Sequence, residues 1–269
     1  MSATVTRTSY FVVDAFTDRP FRGNPAAVVP LTQWVDGRWL QNVAMEMNLS
    51  ETAFFVPNAG GYDLRWLTPR AEVDLCGHAT LATAVVLARL GKLPDGASVD
   101  FSTRSGVLTA VRQGSRFQLD FPALHVEPHA PPTGLMESLN VTARSIGRGT
   151  TDFLVEVESE SVVRSAAPDF KQLAAVTCRG VVVTARSDDP QFDFVSRFFA
   201  PAVGIDEDPV TGSAHCLLAP FWGARLGKTR MVGFQASPRG GIVHVEVQGD
   251  RVLLAGDGVV FAAGEIAAS

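Results

Sequence analysis

Four polar positions interrupt otherwise apolar stretches of this chain and are its candidates for chemistry. They are Asn24 in FRGNPAAVV, Glu51 in NLSETAFF, His78 in DLCGHAT, and the segment EDPVTGSAH at 207–215. Glu51 lies between a predicted helix over 39–47 and a predicted strand over 53–56. A carboxyl in such surroundings is expected to have a raised pKa, which suits proton transfer near neutral pH. The same residue reads equally well as support for a turn begun by Asn48 or Ser50. His78 follows Gly77 at the start of an apolar helix, where free backbone N–H groups favour an anion and an imidazole can shuttle a proton. A histidine at a helix start is also often structural.

The segment at 207–215 has the same makeup. Thr211, Gly212 and Ser213 open a second apolar helix, and their small size leaves its N–H groups approachable. Glu207 or Asp208 could equally be ordinary N-terminal caps. Two such loops in one chain favour the reading in which both helix starts serve a carboxylate-binding pocket.

The elements that must hold these residues follow from apolar spacing. Strands are predicted over 10–15, 26–29 and 62–67, the last with alternating polarity. From Gly77 to Leu90 the chain is nearly all apolar or small, contains no proline, and is followed by Gly91 as a stop. A helix apolar all round must be surrounded by protein. The stretch LRWLTPRAEVDLCGHATLATAVVLARLGK is matched later by FVSRFFAPAVGIDEDPVTGSAHCLLAPFWGARLGK. Both run from a strand through a proline turn and an acidic loop into an apolar helix ending ARLGK, which indicates an internal duplication. The seam is placed near 122–135, where Pro122, Pro128, Pro131, Pro132 and Gly134 cluster. The expected halves are 1–124, completed by a C-terminal strand near 257–269, and 125–256. Each is expected to be several mixed strands around one buried helix, in an α/β (α+β) fold. A hairpin over 242–247 and 252–255 is expected to close the second half.

With 269 residues, 46% hydrophobic and 19% charged, the chain can bury a sizeable core. A net charge of -5 without a basic block disfavours a nucleic-acid partner. No apolar run approaches the ~20 residues of a membrane span, and the N-terminus lacks the apolar core of a secretory signal. Three widely spaced cysteines, Cys76, Cys178 and Cys216, do not form a disulfide framework, and a reducing cytoplasm fits best. GKT at 227–229 resembles the end of a phosphate loop, but Trp222 stands where that motif needs glycine. No G-x-G-x-x-G follows a strand. Cys76 with His78, and His215 with Cys216, lack the spacing of a closed zinc site, so no metal is expected.

The stretches VDAFTDRPFRGNPAAVV, NLSETAFF, LRWLTPRAEVDLCGHATLATA and GIDEDPVTGSAH, in that order, resemble the phenazine-biosynthesis PhzF-like isomerases. The resemblance spans essentially the whole chain. It implies the diaminopimelate-epimerase-like fold, two pseudo-repeated halves that are each a barrel-like mixed sheet around a central helix. It also implies a homodimer, no cofactor, and proton transfer in a cleft between the halves. The family's catalytic glutamate falls on Glu51, its substrate-contacting Gly-His pair on Gly77 and His78, and its second-loop residues on Asp208, Gly212 and Ser213. Related epimerases use one cysteine from each half. Here the second loop has none, since Cys216 lies about one turn inside its helix.

The reading is therefore an isomerase of a small carboxylate-bearing metabolite, with Glu51, His78 and Asp208 catalytic. Asn24, Gly77, Gly212 and Ser213 are expected to bind substrate. The alternatives are a Cys76-dependent epimerase or racemase and a non-catalytic small-molecule-binding protein.

Overall fold

The structure is a computed structural model and describes residues 7–267. The chain divides into two units, one ending at Asp120 and resumed from Ala255, the other spanning Phe121–Leu254. In chain order the first unit contains β1 (Thr8–Ala15), β2 (Asn24–Pro30), α1 (Gly37–Met47), β3 (Glu51–Asn58) and β4 (Gly61–Leu67). It continues with β5 (Glu72–Val73), α2 (Gly77–Arg89), β6 (Ser98–Thr103), β7 (Gly106–Gln113) and β8 (Arg116–Pro122), whose end crosses the boundary.

The second unit begins with β9 (Glu127–Pro128), α3 (Leu135–Leu139), β10 (Ala143–Arg148), β11 (Asp152–Val157), α4 (Glu160–Ser165) and α5 (Phe170–Leu173). It goes on through β12 (Gly180–Arg186), β13 (Phe194–Ala200), β14 (Ile205–Asp208), α6 (Gly212–Leu226), β15 (Arg230–Gln235) and β16 (Gly241–Gln248). The last strand, β17 (Arg251–Ile266), runs on into the first unit. The predicted closing hairpin is therefore present, but its second strand is much longer than 252–255.

In the first unit β1 pairs antiparallel with β2, β2 parallel with β3, β3 antiparallel with β4, β4 parallel with β6, and β6 antiparallel with β7. Strand β8 follows antiparallel to β7, and β17 pairs with both β1 and β8, which closes an eight-stranded barrel. The second unit repeats the order antiparallel, parallel, antiparallel, parallel, antiparallel along β10, β11, β12, β13, β15 and β16. In each unit the long apolar helix enters after a short strand, α2 after β5 and α6 after β14.

Both helices are sheathed because neither has a polar face to offer water. His78 through Leu87 are all buried in α2. Small side chains, Ala79, Ala82 and Ala84, let the barrel close on it. Where β17 crosses α2, a Cβ on Gly258 would lie 2.6 Å from Val85 Cγ2 and 3.4 Å from Leu81 Cδ2. The glycine is there for close approach.

Helix α6 contains Pro220, which has no N–H to give the carbonyl of Cys216. The N–H of Leu124, from the proline-rich segment after β8, takes that acceptor at 3.1 Å. In the first turn of α6 the His215 Nδ1 donates to the Thr211 carbonyl at 2.8 Å. The matching turn of α2 has Thr80 Oγ1 donating to the Cys76 carbonyl at 2.6 Å. His215 Nε2 finds no hydrogen-bond partner among the described residues, and the ring lies against Phe194. Full burial pushes the imidazole pKa down to about 4, only partly offset by the Thr211 bond. No helix among the described residues is long and apolar enough to cross a membrane.

Gly258→Val should cost about 1–3 kcal/mol by overpacking against α2, read as a lower urea midpoint at unchanged slope. The second prediction concerns His215, which takes up its proton near 6.5 when unfolded and near 4 when folded. The unfolded chain therefore binds more protons between those values, so stability is full above 6.5 and falls as the pH drops toward 4. Relative to wild type, His215→Gln should gain about 3 kcal/mol of unfolding free energy between pH 7 and pH 4. A constant difference across that range would refute the assignment.

Candidate active site

In the first unit the starts of β2, β3 and α2 bring four of the predicted residues together. Because β2 and β3 run parallel, with Ala26 opposite Glu51, Asn24 and Glu51 both stand at strand starts. Glu51 is thus the first residue of β3 rather than part of a turn before it. The chain re-enters at Cys76, the N-cap residue of α2, whose side chain makes no capping bond. Gly77 opens the helix, and His78 turns inward beneath it.

His78 is the hub of this group. Its Nε2 lies 3.1 Å from Glu51 Oε2, an ion-pair distance whose alignment falls short of a regular hydrogen bond. On the other side of the ring Nδ1 is 3.3 Å from Asn24 Nδ2 and 3.6 Å from Cys76 Sγ. An amide can present either its NH2 or its oxygen, so Asn24 can serve His78 with or without a proton on Nδ1.

Burial pushes the Glu51 carboxyl up, but the charge of the adjacent His78, with polar contact from His78 and Cys76, outweighs it and holds the carboxyl below its usual range. This corrects the expectation of a raised value: the apolar surroundings are real, but they come with a cation. Burial likewise disfavours a charged His78, yet the neighbouring Cys76 and Glu51 raise it well above 6.5. Cys76 is raised, first by burial and then by the Glu51 charge. These directions favour a carboxylate beside an imidazolium.

The sequence spacing of Cys76 and His78 gave no zinc motif, but folding adds Glu51 to them. One ligand atom from each of Glu51, Cys76 and His78 falls within 4.8 Å of the others. These are the residues that could hold a metal.

The second unit gathers Asp208, Gly212 and Ser213 at the start of α6. Thr211 is the N-cap residue and its side chain does not cap the helix; its hydroxyl donates to Asp208 Oδ2 at 2.5 Å. Glu207 is committed elsewhere, to a two-pronged pair with Arg197 at 2.7 and 2.8 Å. The N-cap position itself falls on Thr211, not on either acidic residue. Gln235 braces the loop by accepting from the Thr211 N–H at 2.9 Å and donating to the Asp208 carbonyl at 2.7 Å.

Two residues of this group escaped the sequence reading. Arg179 donates to Ser213 Oγ at 2.9 Å and is held by both carboxylate oxygens of the buried Asp152. An arginine has no acceptor, so Ser213 Oγ must accept from it and point its own proton elsewhere. Arg179 precedes β12, far from Ser213 along the chain, and no local pattern marks it.

The sequence model of the family described as phenazine biosynthesis-like protein (PhzC-PhzF) matches residues 13–264. The chain is 52% identical over 257 residues to an uncharacterized isomerase of Pseudomonas aeruginosa, covering 95% of this chain and 97% of that protein. A crystal structure of a phenazine biosynthesis PhzF-family protein from Enterococcus faecalis superposes with a TM-score of 0.93 at 42% identity, over 97% of this chain and 99% of the other. A hydroxyproline epimerase from Agrobacterium vitis, solved with bound trans-4-hydroxy-L-proline, shares the fold at a TM-score of 0.64 and 12% identity, over 99% of this chain and 94% of its own. With matches of this extent, the chain is a member of the phenazine biosynthesis-like (PhzC-PhzF) family, whose relatives include proteins named as isomerases.

Proposed function

We propose that this protein is an isomerase that moves a proton between carbon atoms of a small, cyclic or unsaturated carboxylate-bearing metabolite, with Glu51 as the acid/base and no cofactor. The observation that carries the reading is the Glu51 carboxyl 3.1 Å from His78 Nε2 at a largely buried strand start, an arrangement that favours a carboxylate beside an imidazolium. A base must be ionised before it can accept a proton, and here the adjacent imidazolium keeps it so.

The uncapped start of α2, with the Gly77 and His78 backbone N–H groups, supplies donors for a substrate carboxylate. Binding there would set an adjacent C–H against Glu51. The carboxylate takes that proton, the electron pair spreads into the conjugated system, and the protonated Glu51 returns the proton at a second carbon. His78 donates to the oxygen on which charge collects, as imidazolium hydrogen bonds to anions are strong. Asp208, Gly212 and Ser213 are assigned a share in substrate handling through the family resemblance. Arg179, which fixes the Ser213 hydroxyl as a donor, supports that share. A homodimer is proposed on the same resemblance.

A Cys76-dependent racemase is the less favoured reading. Its thiol is buried and its pKa is raised, and the loop at 207–215 carries no second cysteine.

Solvent deuterium exchange into a panel of small unsaturated and cyclic carboxylates, followed by NMR, tests this. Glu51→Gln should lower the exchange rate on the order of 10²–10⁴-fold while ligand binding persists. Cys76→Ala should retain exchange within about tenfold, since no proton passes through the thiol. Undiminished exchange in Glu51→Gln would sink the assignment, and loss confined to Cys76→Ala would favour the thiol mechanism.

A further inference from the structure

The helix starts that gather the polar groups have little to hold them locally. Neither N-cap side chain, Cys76 or Thr211, bonds back to its own helix. The strands that deliver them are short: β5 has two residues and β14 four, and each meets its neighbour at two paired positions. Ser105 Oγ adds a bond to the Asp74 carbonyl at 2.7 Å in the first loop, as Gln235 does to the backbone of the second.

Both loops also carry an arginine–glutamate pair in the same place. Arg65 donates to Glu72 through Nε at 2.8 Å and Nη2 at 2.7 Å, and Arg197 donates to Glu207 through the same two nitrogens at 2.7 and 2.8 Å. The register matches. Trp66 pairs with Val73 and Phe198 with Asp208, and in both cases the arginine and the glutamate are the residues just before these partners. Each glutamate stands five positions before the first residue of its helix, Gly77 or Gly212. Both guanidiniums lie over an aromatic ring, Arg65 over Trp34 at 5.2 Å and Arg197 over Phe199 at 4.9 Å. Both glutamate side chains are only 13% exposed, and Glu72 also takes Arg104 at 2.7 Å. Beyond the pairs the two segments differ: Val73, Cys76 and His78 stand where the second has Asp208, Thr211 and Ser213.

We propose that Arg65–Glu72 and Arg197–Glu207 are positioning pairs, each fixing where its helix start presents its polar groups. Those groups are Cys76, Gly77 and His78 in the first unit, and Thr211, Gly212 and Ser213 in the second. A guanidinium bound to both oxygens of a carboxylate fixes orientation as well as distance, which a point charge does not. Four residues, at most about 14 Å of extended chain, carry that constraint from each glutamate to its N-cap residue. In the first unit the group so placed is His78, with Nε2 3.1 Å from Glu51 Oε2. The placement stands on the two geometries; its consequence for proton transfer rests on the acid/base reading of Glu51.

Amide hydrogen exchange followed by NMR on the full-length protein tests the placement without turnover. The probes are the N–H groups of Thr80 and His215, bonded to the Cys76 and Thr211 carbonyls at 3.2 Å each. Glu72→Gln should raise the Thr80 rate relative to that of His215 by about tenfold or more, the equivalent of one lost charge-assisted bond. Glu207→Gln should shift the ratio the other way. A general loss of stability would speed both amides and leave their ratio in place, and that result overturns the proposal. Arg65→Lys keeps the charge but cannot make two parallel bonds, so it should reproduce the Glu72→Gln ratio; a wild-type ratio there overturns the two-pronged placement. It also replaces Glu72→Gln should that variant fail to fold by circular dichroism. Arg230→Ala, which breaks an exposed pair with Glu246, should leave the ratio unchanged. A shift there too would mean that any lost ion pair moves it, and overturns the placement. Solvent deuterium exchange into the carboxylate panel should fall on the order of 10–10²-fold in Glu72→Gln, since a misplacement of about 1 Å can cost about 10²-fold. If that rate holds while Glu51→Gln loses it, the pair does not serve His78. If it holds in both variants, the Glu51 reading fails and the placement stands.

Discussion

A helix without a polar face cannot rest on the surface of a protein, and this constraint governs both units. Helix α2 buries ten successive residues, His78 through Leu87, so apolar side chains must meet it from every direction. A single open sheet covers only one side of a helix. The first unit meets the demand by closing eight strands into a ring around α2, with β17 joining β1 to β8. The return of the chain terminus to the first unit is a consequence of closure, because a ring leaves no unpaired edge. Gly258 shows how tight that closure is, since the strand passes α2 at a distance that leaves no room for a Cβ.

Enclosing a helix also fixes where chemistry can occur. The barrel interior is filled with side chains, so the accessible polar groups collect where strands and helix begin. Asn24, Glu51 and Gly77 are each the first residue of an element, and Cys76 and His78 flank the last of these starts. A buried carboxylate is costly unless paired. Glu51 meets this cost through His78, and His78 through Glu51, Cys76 and Asn24. The same mutual dependence favours a carboxylate beside an imidazolium. The second unit solves its own version differently: Asp152 anchors Arg179, and Arg179 in turn orients Ser213.

The sequence was legible wherever the physics is local. The strand–turn–acidic loop–apolar helix order, written twice, is visible in residue types alone, and the structure shows the same order of strand pairings in both units. The buried character of α2 follows from its composition, and Glu51, His78, Asp208 and Ser213 stand out as polar residues at the ends of apolar runs. Less legible were element ends. Glu51 belongs to β3 because pairing with β2 extends that strand backwards from its apolar centre, which no single-strand pattern reveals.

The sequence by itself determined that two apolar helices would be enclosed, that their starts would carry the polar groups, and that the family would be recognisable from four blocks. Only the tertiary structure decided the electrostatic setting of Glu51. The sequence shows its apolar neighbours, which raise a carboxyl pKa, but not the imidazolium that lies against it from 27 positions away and lowers it. It also decided that Cys76 completes a triangle with Glu51 and His78, and that Arg179 reaches Ser213. Electrostatic interactions depend on separations of a few ångströms, and for residues distant in the chain those separations are set only when the sheet closes.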